Sequence, residues 1–471
     1  MVRNLVFIFV LFFASYLLAF NSEDLKQDKS ASLATIADSI AMQYQQMGWF
    51  SGGLLITKDN EVVFASSYGF QNAEEKIKNS TLSRFNLGSI MKDFTKVLIL
   101  QQVDAGKLKL SDKLVTFEPG FKQPDADKIT IEHLLNHSAG FADIFVAEYR
   151  QNQLAFDTLN KKIKILIKSP LLFTPGTDRK YSNYGYVVLG VILEKVTGKP
   201  FDELLKNNIF DRVEMSSTTF RPVNSHEYQS IRYTYQYNGN LRKVGVTEHP
   251  SPDGGIESTV VDVQRFYRAL FYSNKLLKNS DAINRNLFAM DGSHWGAYGG
   301  GQGISAAVEV DLDTGYEIVV LANTDHLVAE RISGRIHSYI KNGEYQPIRQ
   351  LEKNFAFEYY QSKGKQQFYK HFKQVYNDNG YSRFIGRTIN EVGMELLNTK
   401  SWTEAFDMFE YLVSLFPNAP QAYDSLAFAY LSKGDREAAK STFSKSLTID
   451  GSFKSDYVSD NYGHNNTLKR G

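Results

Sequence analysis

The sequence predicts an α+β domain with an antiparallel sheet flanked by helices over residues 35–340, followed by an all-α domain. Three observations carry this reading. Strand-like hairpins stand at both ends of the first region with long amphipathic helices between them, the order that segregates helices from an antiparallel sheet. The end of the chain matches itself at an offset of 34 residues, the mark of stacked helical units. With 471 residues, 42% of them hydrophobic, the chain can bury more than one core, which excludes global disorder.

The chain opens on the basic Met1-Val2-Arg3-Asn4, an apolar run from Leu5 to Phe20 and the polar Asn21-Ser22-Glu23-Asp24. This is the order of a secretory signal peptide, assigned to residues 1–20. The run is short against the roughly 20 apolar residues a membrane-spanning helix needs. Cleavage after Ala19 and retention as an N-terminal anchor are the two outcomes. Both put the remainder in the periplasm or outside the cell, with membrane contact only through an uncleaved signal segment.

Within residues 35–340, Gly52–Ile56 and Val62–Ala65 form a hairpin around Lys58-Asp59-Asn60. A long helix runs from Ser89 to Ala105 and is closed by Gly106. A second hairpin pairs Ile304–Val310 with Tyr316–Leu321. Residues 341–385 read as a helical linker or a degenerate repeat that turns at Gly364. In residues 386–455 the offset pairs Val392 with Leu426, Gly393 with Ala427, Ala405 with Ala439 and Phe409 with Phe443. That pattern resembles the tetratricopeptide repeat, with small residues where helices touch and Phe in the groove between them. Gly434-Asp435 reads as a helix stop followed by an N-cap, and residues 456–471 as a flexible polar tail.

Charge and composition exclude whole classes of function. Lys and Arg exceed Asp and Glu by 53 − 52 = 1, so nothing in bulk attracts nucleic acid. The absence of cysteine removes disulfides, thiol nucleophiles, Cys-ligated zinc, iron–sulfur clusters and a lipoprotein anchor.

The chemistry gathers around Ser89 and Lys92. With a helix starting at Ser89, Lys92 lies one turn on and on the same face. The helix end favours a developing anion, and an amine within reach can take the hydroxyl's proton. Ser338–Lys341 and Ser362–Lys365 repeat the spacing, but they fall in a closing helix and at the Gly364 turn. Tyr181-Ser182-Asn183 follows Thr174-Pro175-Gly176, and a phenol on a loop can relay protons while a neighbouring amide orients them. The same string at Tyr272-Ser273-Asn274 reads as a helix end. His133 and His137 have the i, i+4 spacing of a metal pair, but no Glu follows His133 and no third ligand is evident, so no metal is expected.

Together these elements resemble the serine β-lactamase-like family, which includes D-alanyl-D-alanine peptidases, class C-type β-lactamases and related esterases. The resemblance runs from about Ser51 to Asn323. It rests on Gly88-Ser89-Ile90-Met91-Lys92, Leu134-Leu135-Asn136-His137-Ser138-Ala139-Gly140, Tyr181-Ser182-Asn183 and Gly254-Gly255-Ile256-Glu257-Ser258-Thr259. It implies a sheet domain with an all-α lobe and no metal or organic cofactor. Ser89 would be the acyl-accepting nucleophile, Lys92 its base, Tyr181 the proton donor to the leaving group, and Asn183 a contact to substrate and Lys92. The backbone amides of Ser89 and Gly300 would form the oxyanion hole.

One motif departs from the family. Where the family carries Lys-Thr-Gly or His-x-Gly, this chain has Gly296-Ala297-Tyr298-Gly299-Gly300-Gly301-Gln302-Gly303. Aligning the glycines puts Ala297 at the basic position and Gly299 at the motif glycine. A shift of one residue puts Tyr298 at the basic position instead. His294, three steps away on a strand, would point to the opposite face from Ala297.

The expected function is therefore an exported serine hydrolase forming a Ser89 acyl-enzyme with an ester or amide substrate, esterase-like rather than β-lactamase or peptidase. Its partners would be a small-molecule or peptide-like acyl substrate and, through the repeats, a protein. The contrary expectation is a catalytically silent ligand-binding or scaffold protein of the same fold.

Overall fold

The computed structural model describes residues 32–221, 227–245, 248–278, 292–455 and 457. Residues 1–20, expected to be a signal peptide, and, Tyr457 apart, residues 456–471, expected to be a tail, lie outside the described residues.

Helix α1 (Leu33–Gln46) starts at Ser32, whose hydroxyl accepts from Thr35 N. Strands β1 (Gly52–Lys58) and β2 (Glu61–Tyr68) form the first hairpin, with Asp59 and Asn60 at the positive φ its turn requires. The short β3 (Phe85–Asn86) leads into a 3₁₀ turn, Gly88–Ile90, and then helix α2 (Met91–Asp104). The regular helix thus begins two residues after Ser89, and Ser89 occupies the turn itself.

After the short α3 (Ile131–Leu135) comes the long α4 (Asn183–Thr197). A small hairpin follows, β4 (Tyr233–Tyr235) with β5 (Leu241–Lys243). Next, β6 (Glu257–Ser258) pairs with β3 and runs into α5 (Val260–Tyr272). The domain closes with β7 (His294–Gly301), β8 (Ile304–Asp311), β9 (Tyr316–Ala322) and α6 (Val328–Asn342).

The five-stranded sheet has the order β2-β1-β9-β8-β7, antiparallel throughout, so the first hairpin closes against the last. Leu54 faces Val320 across this seam. Leu54, Ile56, Ala307, Ile318 and Val320 pack against Ile36, Ile40 and Tyr44 of α1 and Ile332 and Ile336 of α6. Their alternates Leu55, Val308, Val319 and Leu321 join the larger core with Phe94 and Leu98 of α2 and the apolar side of α4. The central strands β1, β9 and β8 are covered on both faces and buried at nearly every position, whereas the edge strands β2 and β7 are partly exposed.

The C-terminal region is helical. Helix α7 (Glu352–Asp378) is broken at Gly364 (φ 77°, ψ 166°), the turn read from the sequence. Then come α8 (Ile385–Asn398), α9 (Trp402–Leu415), α10 (Pro420–Lys433) and α11 (Arg436–Ile449). Gly393 lies against the Phe409 ring, 2.6 Å from where its β-carbon would be, so α8 and α9 can meet only without a side chain there. Gly434 ends α10 in the left-handed conformation, and the Asp435 carboxylate caps α11 by accepting from Ala438 N.

The two regions share a buried polar joint. Lys353 Nζ donates to Tyr235 O (2.6 Å) and Glu395 Oε1 (2.7 Å) and lies 2.8 Å from His326 Nε2. Asn354 Nδ2 donates to the carbonyls of Gln236 and Tyr237, and Tyr237 N to Glu395.

Candidate active site

Ser89 is held by its backbone. Leu87 N donates to Ile256 O, and Asn86 Oδ1 accepts from Gly88 N at 2.9 Å. Gly88 turns the chain at φ +52°, where a side chain would be strained. A β-carbon on Gly88 would stand 2.9 Å from Gly300 N, and one on Gly299 would collide with Leu87 O. The glycine-rich end of β7 therefore lies directly on the turn that carries Ser89. The N-cap residue of α2 is Ile90, without a side-chain cap bond, so the Ser89 hydroxyl is not spent on capping.

Lys92 is buried and has three oxygen neighbours: Ser89 Oγ at 3.1 Å, Asn183 Oδ1 at 2.7 Å and Asp253 O at 2.6 Å. The last two accept and cannot donate. A neutral amine spends its two hydrogens on them and turns its lone pair to the Ser89 hydroxyl. Tyr181 Oη is 2.7 Å from Ser89 Oγ and 3.3 Å from Asn183 Oδ1, while its ring lies beneath Lys92 Nζ at 5.0 Å. These four side chains form one connected cluster.

Local structure explains why Tyr181 and Asn183 meet it. Ser182 is the N-cap of α4 and its Oγ donates to Ala142 O. The Asp143 carboxylate accepts from both Asn183 N and Asn183 Nδ2, fixing the amide with its oxygen toward Lys92. His137 Nδ1 accepts from Ser182 N, and the ring packs on Tyr181 at 4.6 Å between centroids. Burial, reinforced by the charges of Lys92, Arg179 and Lys96, lowers the His137 pKa to about 4. His137 is thus a neutral support. His133 Nδ1 completes the capping box of α3 by accepting from Thr130 N, so Nδ1 of each imidazole of the i, i+4 pair accepts from a backbone amide. Helix α3 ends at Leu135, so His137 lies in the loop that follows it.

The third motif divides between the two faces of β7. Ala297 is buried in the larger core opposite Val308. Tyr298 points to the other face and donates to Glu309, as His294 Nε2 also meets Glu309 at 2.8 Å. The cleft of about 800 Å³ over Ser89 is lined on this side by Gly300, Gly301 and Gln302, with neither Ala297 nor Tyr298 among its lining residues. Behind the sheet, His294, Glu309 and His337 bring one ligand atom each within 4.8 Å of one another, remote from this cleft's lining.

Sequence reading missed the Asp253 carbonyl, Asp143 and Arg232, which also lines the cleft. Only Asp253 had a nearby signal, the Gly254-Gly255 pair that lets the backbone approach.

Comparison with known proteins identifies the family. The family described as Beta-lactamase matches residues 37–338, well over half of the chain. The chain is 28% identical over 276 residues to a penicillin-binding protein of Bacillus subtilis, covering 54% of this chain and 59% of that one. It is 29% identical over 231 residues to an N-acetylmuramyl-L-alanine amidase of the same organism, covering 45% and 52%. The chain thus spans about half the length of the curated relatives it matches. In fold it is similar to the penicillin binding protein from Bacillus halodurans, with a TM-score of 0.58 and 23% identity over 64% of this chain and 99% of that one. A glycine-framed serine, its lysine and the matched profile together establish that the chain belongs to the beta-lactamase family of serine hydrolases.

Proposed function

We propose that the chain is an exported acyl hydrolase that forms an acyl-enzyme at Ser89 and prefers esters to β-lactams or D-Ala-D-Ala peptides. The observation that carries the proposal is the cluster of Lys92, Ser89, Tyr181 and Asn183, each within hydrogen-bond reach of another. Lys92 takes the Ser89 proton as Oγ attacks the carbonyl carbon. The oxyanion draws on the amides of Ser89 and Gly300, and Tyr181 passes a proton to the departing alkoxide. Water then enters by the reverse sequence and frees the acid. The preference for esters rests on Ala297: a charged hydrogen bond to a substrate carboxylate contributes roughly 1.5–3 kcal/mol, and β7 offers no such cation to the cleft. Export rests on the composition of residues 1–20. The paired helices α8–α11, with Trp402 and Arg436 opening the second helices 34 residues apart, fit tetratricopeptide repeats that present a protein-binding surface.

The test is intact mass after incubation with an alkyl fluorophosphonate, for the wild-type full chain beside Ser89→Ala. One adduct in the wild type and none in the variant is expected. No adduct in folded wild-type protein would overturn the proposal.

A further inference from the structure

Arg232 is a buried cation of the cleft lining that the proposed chemistry leaves unused; Arg150, the other arginine of the lining, is exposed and donates to Phe145 O. It immediately precedes β4 and is 5% exposed. One guanidinium nitrogen, Nη2, donates to Gly245 O at 3.1 Å. Its Nε is buried without a hydrogen-bond partner, and the side chain forms no ion pair among the described residues. Glu257 and Glu248 act on it only from a distance, and burial outweighs them, holding its pKa below the ordinary arginine value. Both carboxylates have other engagements: Glu257 accepts from Gln229, and Glu248 accepts from Tyr149 Oη. Burial and the nearby Asp253 also raise the Glu248 pKa, which weakens it as a counter-ion. A buried guanidinium with one unpaired donor, on a residue that lines the cleft, is an incomplete arrangement that an anionic ligand would complete.

Its place in the fold says which part of the substrate it meets. A β-carbon on Gly303, in the turn between β7 and β8, would lie 2.6 Å from Arg232 Cβ. Arg232 therefore stands at the Gly301–Gly303 end of β7, on the far side of Gly300 from Ala297. A carbonyl held at Gly300 sends one substituent toward Ala297 and the other toward Gln302. Ala297 contributes no cation in the first direction, and Arg232 stands in the second. We infer that Arg232 binds a carboxylate on the acyl part of the substrate and so selects anionic acyl esters. This rests on the acyl-enzyme reading above. The carboxylate keeps its charge throughout: the bond made and broken is at Ser89, and the product is a dicarboxylic acid.

The experiment measures kcat/KM of the full chain on mono-4-nitrophenyl esters of glutaric and adipic acids and on their ω-methyl esters. Wild type, Arg232→Met and Arg232→Lys are compared by the ratio of the two values within one sample, so any loss of folded protein cancels. The expected result is a wild-type preference for the anionic ester of at least one chain length, reduced at least tenfold in Arg232→Met and partly kept in Arg232→Lys. A ratio unchanged within about twofold in Arg232→Met, or a wild-type preference for the neutral esters at both lengths, overturns the assignment of Arg232. Fluorophosphonate labelling of the same samples separates the two readings. An adduct with an unchanged ratio sinks only the Arg232 proposal, whereas failure to label sinks the acyl-enzyme reading beneath it.

Discussion

Lys92 can act as a base only if its other hydrogen-bond partners leave its lone pair for Ser89, and two carbonyl oxygens at 2.6 and 2.7 Å do this. Removing the amine removes general-base assistance, worth about 10²–10⁴ in rate. Lys92→Ala is therefore expected to slow fluorophosphonate labelling at least about a hundredfold, and Ser89→Ala to abolish it with little change in melting temperature, because the Ser89 hydroxyl caps no helix. Labelling of Lys92→Ala at the wild-type rate would refute the role given to the amine. The same residues show what a sequence can disclose. Ser89 and Lys92 are three positions apart on one turn, and Tyr181 and Asn183 two apart on one N-terminus, so spacing carried them. The Asp253 acceptor is a backbone carbonyl 161 residues from Lys92, and Asp143 reaches Asn183 across 40 residues. Neither has a local pattern, because a main-chain oxygen has no residue type and a carboxylate on a loop resembles any solvated one.

At the level of elements, the site depends on β7 lying against the turn of Ser89 with nothing between them. Gly299 is the tightest point, since a β-carbon there meets the Leu87 carbonyl oxygen and comes within 3.1 Å of Ser89 N. At Gly300 the nearest atom is the end of the Leu327 side chain, at 3.4 Å, which can move. Gly299→Ala should push β7 off the turn and cost about 10²–10³ in acylation rate, the value of one oxyanion donor, while Gly300→Ala keeps its amide and costs less than about tenfold. Labelling rates of the two variants, with circular dichroism as the folding control, decide this; equal losses would mean that the spacing of β7 is not what matters. The hairpins were legible because β1 and β9 are apolar and buried along most of their length, and the turns at Asp59-Asn60 and Gly315 use residues that tolerate positive φ. The start of the Ser89 helix was misplaced by two residues because a 3₁₀ turn and an α-helical turn share the same residue preferences. The facing of Ala297 and Tyr298 followed from strand alternation once the register with Val308 and Ala307 was fixed, but a run of glycines offers no apolar alternation from which to read that register.

Over the whole molecule, the helical region is joined to the sheet domain by a polar knot that no hydrophobic pattern announces. Lys353, wholly buried, sits in the first turn of α7, and its partners, the Tyr235 carbonyl and Glu395, lie 118 and 42 residues away in the chain. His326 belongs to the same knot, facing Lys353, Asp325, Glu391 and the more distant Arg331 and Arg383. Burial first, then the charges of Lys353, Arg383 and Arg331, lowers its pKa to about 3. Unfolded, it would take a proton near pH 6.5. As pH falls below about 6.5, protons bind the unfolded chain and not the native one, so this histidine withdraws stability by about 1.4 kcal/mol per pH unit until the folded pKa is reached. His137, lowered to about 4, acts in the same direction. Asp325 opposes them: burial raises its pKa to about 6, so the native state gains a proton first and recovers stability between about pH 6 and the ordinary carboxylate range. Replacing His326 isolates one of these contributions. His326→Asn should lose less melting temperature than wild type on passing from pH 7 to pH 5, and the gap between the two proteins should narrow or reverse as the buffer is acidified. Parallel curves over that interval would show that His326 is protonated as readily in the folded joint as in the unfolded chain. The joint would then be open to water at that point, and the two regions could separate there without unfolding either one.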